Sequence, residues 1–306
     1  MNSRMWRTFI TLAALLVGSG AFMSAGHAQP AQKLPSALLI YPLIDTEGTR
    51  DTRIEIVNLS GDYVDLQCFY VHGDSCLEIG FFLSLTPYQP MAWTARRGTF
   101  DPFSGTAAPP FYGTGELKCA VVAPRNEVDY HNAIQGRATV YADDGQTVSY
   151  GAVGFQRLSP GPYTGIVELD GSTYAACPNR LHFQVQTNET LPNELILIPC
   201  DQDLILQIPT ELTVQFLITN EFEQTYSAST GMECTGVFRF PEIASFLTRA
   251  AIGTDTAQMN VRGVQGPLLG LVIDAVDFSG TVGIAGNEPS FSGGRRATVQ
   301  FPGFPR

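Results

Sequence analysis

The stretch from Thr52 to Leu85, TRIEIVNLSGDYVDLQCFYVHGDSCLEIGFFLSL, constrains the fold more than any other part of the chain. Ile54 and Ile56 alternate with Arg53 and Glu55. Val64, Leu66, Cys68 and Tyr70 alternate with Tyr63, Asp65 and Gln67. Leu77, Ile79, Phe81, Leu83 and Leu85 alternate with Glu78, Gly80 and Ser84. A period of two places one face of an extended chain in a core and the other in water. The segments 58–62 (NLSGD) and 72–75 (HGDS) separate the three runs with residues that tolerate turn dihedrals. The pattern predicts an antiparallel meander with one mostly wet face, broken only at Phe82.

The same alternation continues along the chain. Strands are predicted over Leu38–Ile44, Gly115–Val122, Arg137–Tyr141 and Thr147–Phe155, the last entered through the hairpin signal Asp143, Asp144, Gly145. Between them, 86–114 carries five prolines, which argues against a regular paired strand there. Ser159-Pro160-Gly161-Pro162 punctuates the chain. Beyond it strands are predicted over Leu195–Ile198, Leu204–Ile208, Leu212–Ile218, Glu233–Phe240, Gln258–Val261, Leu268–Val276 and Ala297–Phe301, with a short helix within Pro241–Ala250. The fold class is all-β: two antiparallel β-sandwich domains of immunoglobulin-like strand count, 29–160 and 161–306, after a leader at 1–28. A faint internal repeat relates Leu38-Leu39-Ile40-Tyr41-Pro42 to Leu195-Ile196-Leu197-Ile198-Pro199. In each case an alternating strand follows and ends near an asparagine, Asn58 or Asn220. Two related sandwiches would account for this, and so would ordinary reuse of β patterns.

The leader has the form of a secretory signal: Arg4 and Arg7, a short apolar run from Phe9 to Val17, and small residues up to Ala28. The run is too short to span a bilayer. An exported chain, periplasmic or extracellular, is expected, with no membrane span once the leader is cleaved. The whole sequence has a formal net charge of −11, and loss of Arg4 and Arg7 makes it more acidic still. That excludes nucleic acid, whose phosphates require a basic footprint.

All six cysteines, Cys68, Cys76, Cys119, Cys177, Cys200 and Cys234, follow the leader, and none forms a Cys-x-x-Cys. An even count in an exported chain points to disulfides. Cys68 lies on the apolar face of its strand and Cys119 shares that parity with Leu117 and Val121, so a Cys68–Cys119 core bridge is predicted. Cys76 has the opposite parity, which disfavours a hairpin bridge to Cys68. The remaining expectation is Cys200–Cys234, with Cys76–Cys177 tying the halves together.

Signatures of catalysis are absent: no Gly-x-Ser-x-Gly, no His-Glu-x-x-His, no phosphate-binding loop and no cofactor motif. His72, His131 and His182 do not share a metal-ligand spacing. Asp45, Glu47 and Asp51 gather around Gly48, as calcium ligands do, but the spacing is not that of an EF-hand and Arg50 intervenes. Asp143 with Asp144 and Asp201 with Asp203 are weaker pairs, and ordinary solvated turns account for all three groups. Glu221 and Glu223 are neighbours on one segment, whereas glycoside hydrolysis needs carboxyls on opposite sides of the bond. The long loop is the better site. Trp93, Arg96, Arg97, Phe100, Phe103, Phe111 and Tyr112 combine aromatic rings with guanidiniums, which can stack on sugar or peptide. The competing reading is that these rings pin the loop to the sandwich.

Six segments carry a resemblance: CFYV (68–71), FFLSLTPYQPMAW (81–93), GELKC (115–119), VELDGSTYAACP (167–178), LIPC (197–200) and VQFLITNEFEQTYSAST (214–230). Together they resemble a group of exported bacterial all-β proteins of unassigned function. The resemblance implies a bacterial source and an exported fold, and it implies no activity, ligand or catalytic residue. Related chains carry more cysteines after the CFYV strand, where this one has only Cys76. The functional expectation is therefore an exported structural or interaction protein of the cell surface or periplasm rather than an enzyme. The alternative is a glycan- or peptide-binding module using the loop 86–114, and a hydrolase with unrecognised residues is the remaining reading.

Overall fold

A computed structural model describes residues 34–100, 107–122, 132–160, 165–187, 194–278, 281–287 and 289–302. The leader, His131 and Phe103 lie outside these residues. The described chain is all-β: helix is confined to the single turns Phe240–Ile243 and Arg249–Ile252, in place of the one short helix expected there. Among the described residues no helix is long and apolar enough to cross a membrane.

Beside a small two-stranded sheet that pairs Thr99–Phe100 with Ala107–Ala108, two large sheets form from residues before Pro160. One runs in the order Val153–Phe155, Leu38–Asp45, Thr114–Val122, Val64–His72, Glu78–Leu85. The other runs Thr147–Gly151, Ile134–Tyr141, Asp51–Asn58, Pro90–Thr94. Ile54, Ile56, Leu66, Tyr70, Leu83 and Leu117 fill the core between them. The run expected as one strand over Thr147–Phe155 breaks at Ala152 and passes from one sheet to the other. The segment 86–114 is also more regular than expected, because Pro90–Thr94 pairs with Asp51–Asn58. Proline is tolerated there because it opens an edge strand.

Three further sheets form from residues after Pro160. A five-stranded sheet (Thr225–Met232, Leu212–Asn220, Thr256–Gly263, Cys177–Gln186, Ser290–Arg295) packs on a four-stranded one (Gly236–Arg239, Glu194–Pro199, Leu268–Phe278, Thr281–Asn287). A three-stranded sheet joins Ile166–Leu169, Ala297–Gln300 and Gln202–Asp203, the last pairing parallel. Strand Glu194–Pro199 is apolar along its length because both its faces are covered. Leu195 and Leu197 enter the core of the second half, Ile196 enters the core of the first, and Ile198 enters a third core between the halves. Among the described residues no two named strands pair across Pro160, and only an isolated Arg157–Tyr174 bridge crosses it.

The expected three-strand meander does not form. Asp51–Asn58 joins the four-stranded sheet and keeps an open outer face, and the outer side of Glu78–Leu85 is exposed. The second face of Val64–His72 is largely covered rather than wet. Phe69, Val71, Leu38, Ile40 and Ala120 on the outer face of the five-stranded sheet pack with Ile198, Leu204, Leu269, Val299 and Phe301. The Phe69 and Phe301 rings lie 5.7 Å apart, and Gln67 Nε2 donates to the Pro302 carbonyl at 3.0 Å. Polar residues at Tyr63, Asp65 and Gln67 suggest water, but the same parity continues into Phe69 and Val71, where the second half docks.

All six cysteines are bridged. Cys68 and Cys119 face each other across adjacent strands with Cα atoms 4.1 Å apart, as their shared parity predicts. The other two expected pairs are overturned: the bridges are Cys177–Cys200 and Cys76–Cys234. Cys177 and Cys200 both enter the core between the halves. Cys76 and Cys234 sit in turns that abut one another, where Thr235 N–H donates to the Gly73 carbonyl. Turn-to-turn contact of this kind has no local signature, so Cys76 does tie the halves together, through a different partner.

The strand expected over Leu204–Ile208 is a turn. Asp203 Oδ1 accepts from the backbone N–H groups of Ile205 and Leu206, and Gln207 has φ +53°. A side chain competing for backbone donors favours the turn over a ladder. Asn58 and Asn220, the two asparagines of the faint repeat, do the same work. Each is buried at a strand end. Asn58 Oδ1 accepts from Ser60 N–H, and Asn220 Oδ1 accepts from Phe222 and Gln224 N–H.

Candidate functional site

A hollow of about 760 Å³ lies on the outer face of the four-stranded sheet of the first half. Its floor follows from strand alternation: Ile54 and Ile56 point inward, while Arg53, Glu55 and Val57 point outward beside Gln135 and Arg137 of the neighbouring strand. Small residues, Ala92, Gly136, Ser149 and Gly151, leave the space open. Tyr41 requires Gly136 to be glycine, since a Cβ there would lie 1.9 Å from the tyrosine oxygen.

One carboxylate organises the charge. Glu55 Oε1 accepts from Arg53 Nε at 2.9 Å and Oε2 accepts from Arg137 Nε at 2.5 Å. The Arg137 hydrogen bond, with Arg53 in support, holds the Glu55 carboxyl below its ordinary range. Both guanidiniums bind Glu55 through Nε, and their terminal amino groups make no further hydrogen bond among the described residues. The cluster carries a net positive charge on an acidic protein. Paired guanidinium forks suit planar oxyanions.

The residues expected to bind ligand are distributed otherwise. Trp93 is buried, and its Nε1–H donates to the Tyr70 hydroxyl at 2.7 Å. Arg96 clamps the acidic loop, its terminal nitrogen donating to the carbonyls of Thr46, Gly48 and Arg50. A guanidinium thus occupies the point where the loop's carbonyls converge, and Asp45 pairs with Arg50 at 3.0 Å. Phe111 is buried and stacks on Tyr70 with centroids 4.9 Å apart. Arg97 and Tyr112 are exposed. Phe100 falls in the short strand Thr99–Phe100. Trp93, Phe111 and Arg96 are thus spent on holding the segment in place, and none of the expected residues lines the hollow. Parity showed that Arg53 and Glu55 face outward, but the approach of Arg137 needed the pairing of two strands distant in sequence. Glu221 and Glu223 sit at a turn, with Glu221 accepting from Thr256 Oγ1. His182 is held between Asn260 and Ser292.

A second polar assembly is internal. Lys118 and Glu116 are fully buried on the face that meets the second half, and Lys118 Nζ donates to Glu116 Oε1 at 2.6 Å. Lys118 also donates to Gln202 Oε1 from the three-stranded sheet. Glu78 lies across Val71 from Glu116 in the strand register. Burial, with the carboxylates of Glu116 and Asp203 adding and Lys118 opposing, pushes the Glu78 carboxyl from 4.5 up to about 7. A raised folded-state value means the folded protein keeps a proton that the unfolded chain releases. Stability from this group is full below 4.5 and falls as pH rises to about 7. Thermal melts across that window are expected to show a slope that Glu78→Gln flattens, and equal slopes in both proteins would refute it.

The geometry defines a class: an all-β protein, stapled by three disulfides, with a paired-arginine hollow on an outer sheet face. No protein-family model matches the chain, and no curated protein is significantly similar to it. One solved structure, the PBSX exported protein XepA, aligns over 79% of this chain and 82% of its own at 10% identity. Its TM-score of 0.17 is too low to carry an argument about fold or function.

Proposed function

We propose that this is an exported interaction protein, built from two immunoglobulin-like sandwiches meeting near Pro160, that binds an acidic glycan on the outer face of its first half. The observation that carries this reading is the Arg53–Glu55–Arg137 arrangement, with two guanidiniums held in place and their amino groups left over an open hollow. An open sheet face lined by Gln135, Ser149, Pro90 and Met91 suits a chain of hydroxylated rings bearing a carboxylate. Export is supported by a leader of secretory form and by the bridging of every cysteine. The likeness of its motifs to a group of exported bacterial proteins points the same way.

Calorimetric titration with uronic-acid oligosaccharides tests it. Binding is expected to weaken with salt, because the contacts are surface charges. The Arg53→Ala/Arg137→Ala variant is expected to lose about 2–4 kcal/mol of binding free energy, a hydrogen bond to a charged group being worth about 1.5–3 kcal/mol. Glu55→Gln, which removes the competing carboxylate, is expected to bind more tightly. No binding of these oligosaccharides by the wild type, or binding indifferent to the double substitution, would end the proposal.

A further inference from the structure

We propose that Lys118 and Gln202 become covalently joined through an amide between Nζ and the glutamine Cδ, formed within the folded chain with Glu116 moving the proton.

The argument begins with composition. The chain has 18 Lys and Arg, and only Lys33 and Lys118 are lysines. Every other basic side chain is arginine, so a lysine at the most buried basic position is a chemical choice. An amine can lose its proton and attack a carbonyl, whereas a guanidinium cannot be deprotonated in a protein. Lys118 lies between Ile40 and Phe69 in the sheet register and Glu116 lies beside Val71, with the carboxylates of Glu78 and Asp201 close enough to interact with Lys118. Lys118 and Glu116 are 0% exposed, and Gln202 is also buried.

The three groups have the geometry of a reaction as well as of a contact. Lys118 Nζ touches both Glu116 Oε1 and Gln202 Oε1, and Cδ of Gln202 is one bond beyond that oxygen. The backbones are held on both sides, Lys118 by two neighbouring strands and Gln202 by its pairing with Val299. Reactants fixed at contact distance without water gain a large effective concentration. Among the described residues Glu116 Oε2 is buried with no hydrogen-bond partner. A purely structural ion pair should satisfy that oxygen, since buried polar atoms are paired in the great majority of cases. As a proton carrier the carboxylate needs an oxygen free to shuttle.

The step balances. Glu116 takes a proton from the Lys118 ammonium, freeing the amine. The amine attacks Gln202 Cδ, and Glu116 gives that proton to the departing nitrogen as the Cδ–Nε2 bond breaks and ammonia leaves. Glu116 then takes the second proton that Nζ sheds as the new amide forms. One amide replaces another, and no oxidant or cofactor is consumed. The product ties the halves together beside the Cys76–Cys234 bridge.

Peptide mapping of the purified full chain after denaturation and reduction tests this. A branched tryptic peptide is expected, joining the segments that carry Lys118 and Gln202, lighter than their sum by one ammonia and uncut after Lys118. Intact mass alone is insufficient, because an N-terminal glutamine also cyclises with loss of ammonia. Recovery of both segments only as linear peptides, with cleavage after Lys118, would overturn the proposal. Gln202→Ala is expected to restore that cleavage. Glu116→Gln is expected to leave the branched peptide undetected in freshly folded protein, and unchanged yield in that variant would remove Glu116 from the mechanism.

Discussion

Replacing Cys76 and Cys234 together by alanine is expected to lower the free energy of unfolding by about 4–5 kcal/mol, the most of any of the three bridges. The bridge closes a sequence separation of 158 residues, against 51 for Cys68–Cys119 and 23 for Cys177–Cys200. In the chain-entropy account a longer closed loop restricts the unfolded chain more, so the shortest bridge should cost about 1–2 kcal/mol less to remove. The backbone sharpens the test. Cys76 has φ +54° and Cys234 has φ +51°, a left-handed conformation that alanine resists and glycine accepts. The double glycine variant should therefore retain about 1–2 kcal/mol more stability than the double alanine variant. Urea denaturation of the variants measures both differences. Equal costs for all three bridges would show that the unfolded chain is not what the Cys76–Cys234 bridge restrains.

Phe111→Ala is expected to cost about 3–5 kcal/mol, while Tyr112→Ala next to it should stay within about 0.5 kcal/mol. Phe111 is 1% exposed and Tyr112 is 63% exposed. The Phe111 ring stacks on Tyr70 and lies 5.5 Å from the His72 ring, so its loss leaves a cavity under the segment it anchors. The contrast decides between two uses of an aromatic loop. A pinned loop loses stability at the buried ring and keeps its ligand binding, whereas a stacking platform would lose binding at the exposed ring. Denaturation midpoints and the same glycan titration read both outcomes. Similar stability losses at the two positions would count against pinning.

The alternation around Ile54, Val64 and Phe81 made the strands and their inner faces legible, because which side of a strand a residue faces is a local property. The same parity placed Cys68 and Cys119 together. It also set Arg53 and Glu55 on the outer face of their strand, although nothing local brought Arg137 to them. Aromatic composition singled out Trp93 and Phe111 without revealing that both are buried. Where the chemistry of a turn outweighed apolar content, as with Asp203 before Ile205 and Leu206, the pattern alone suggested a strand that does not form.

By itself the sequence determined an all-β chain, the turns at 58–62 and 72–75, the inner faces of the strands its alternation marked and its acidic net charge. These depend on residues within a few positions of one another. Only the tertiary structure decided that the second face of Val64–His72 is largely buried, and that Cys76 meets Cys234. It also decided that Lys118, paired with Glu116, meets Gln202 from 84 residues away. Those contacts arise from stacking one sheet on another, and the free energy of that stacking belongs to whole surfaces rather than to any short run of residues.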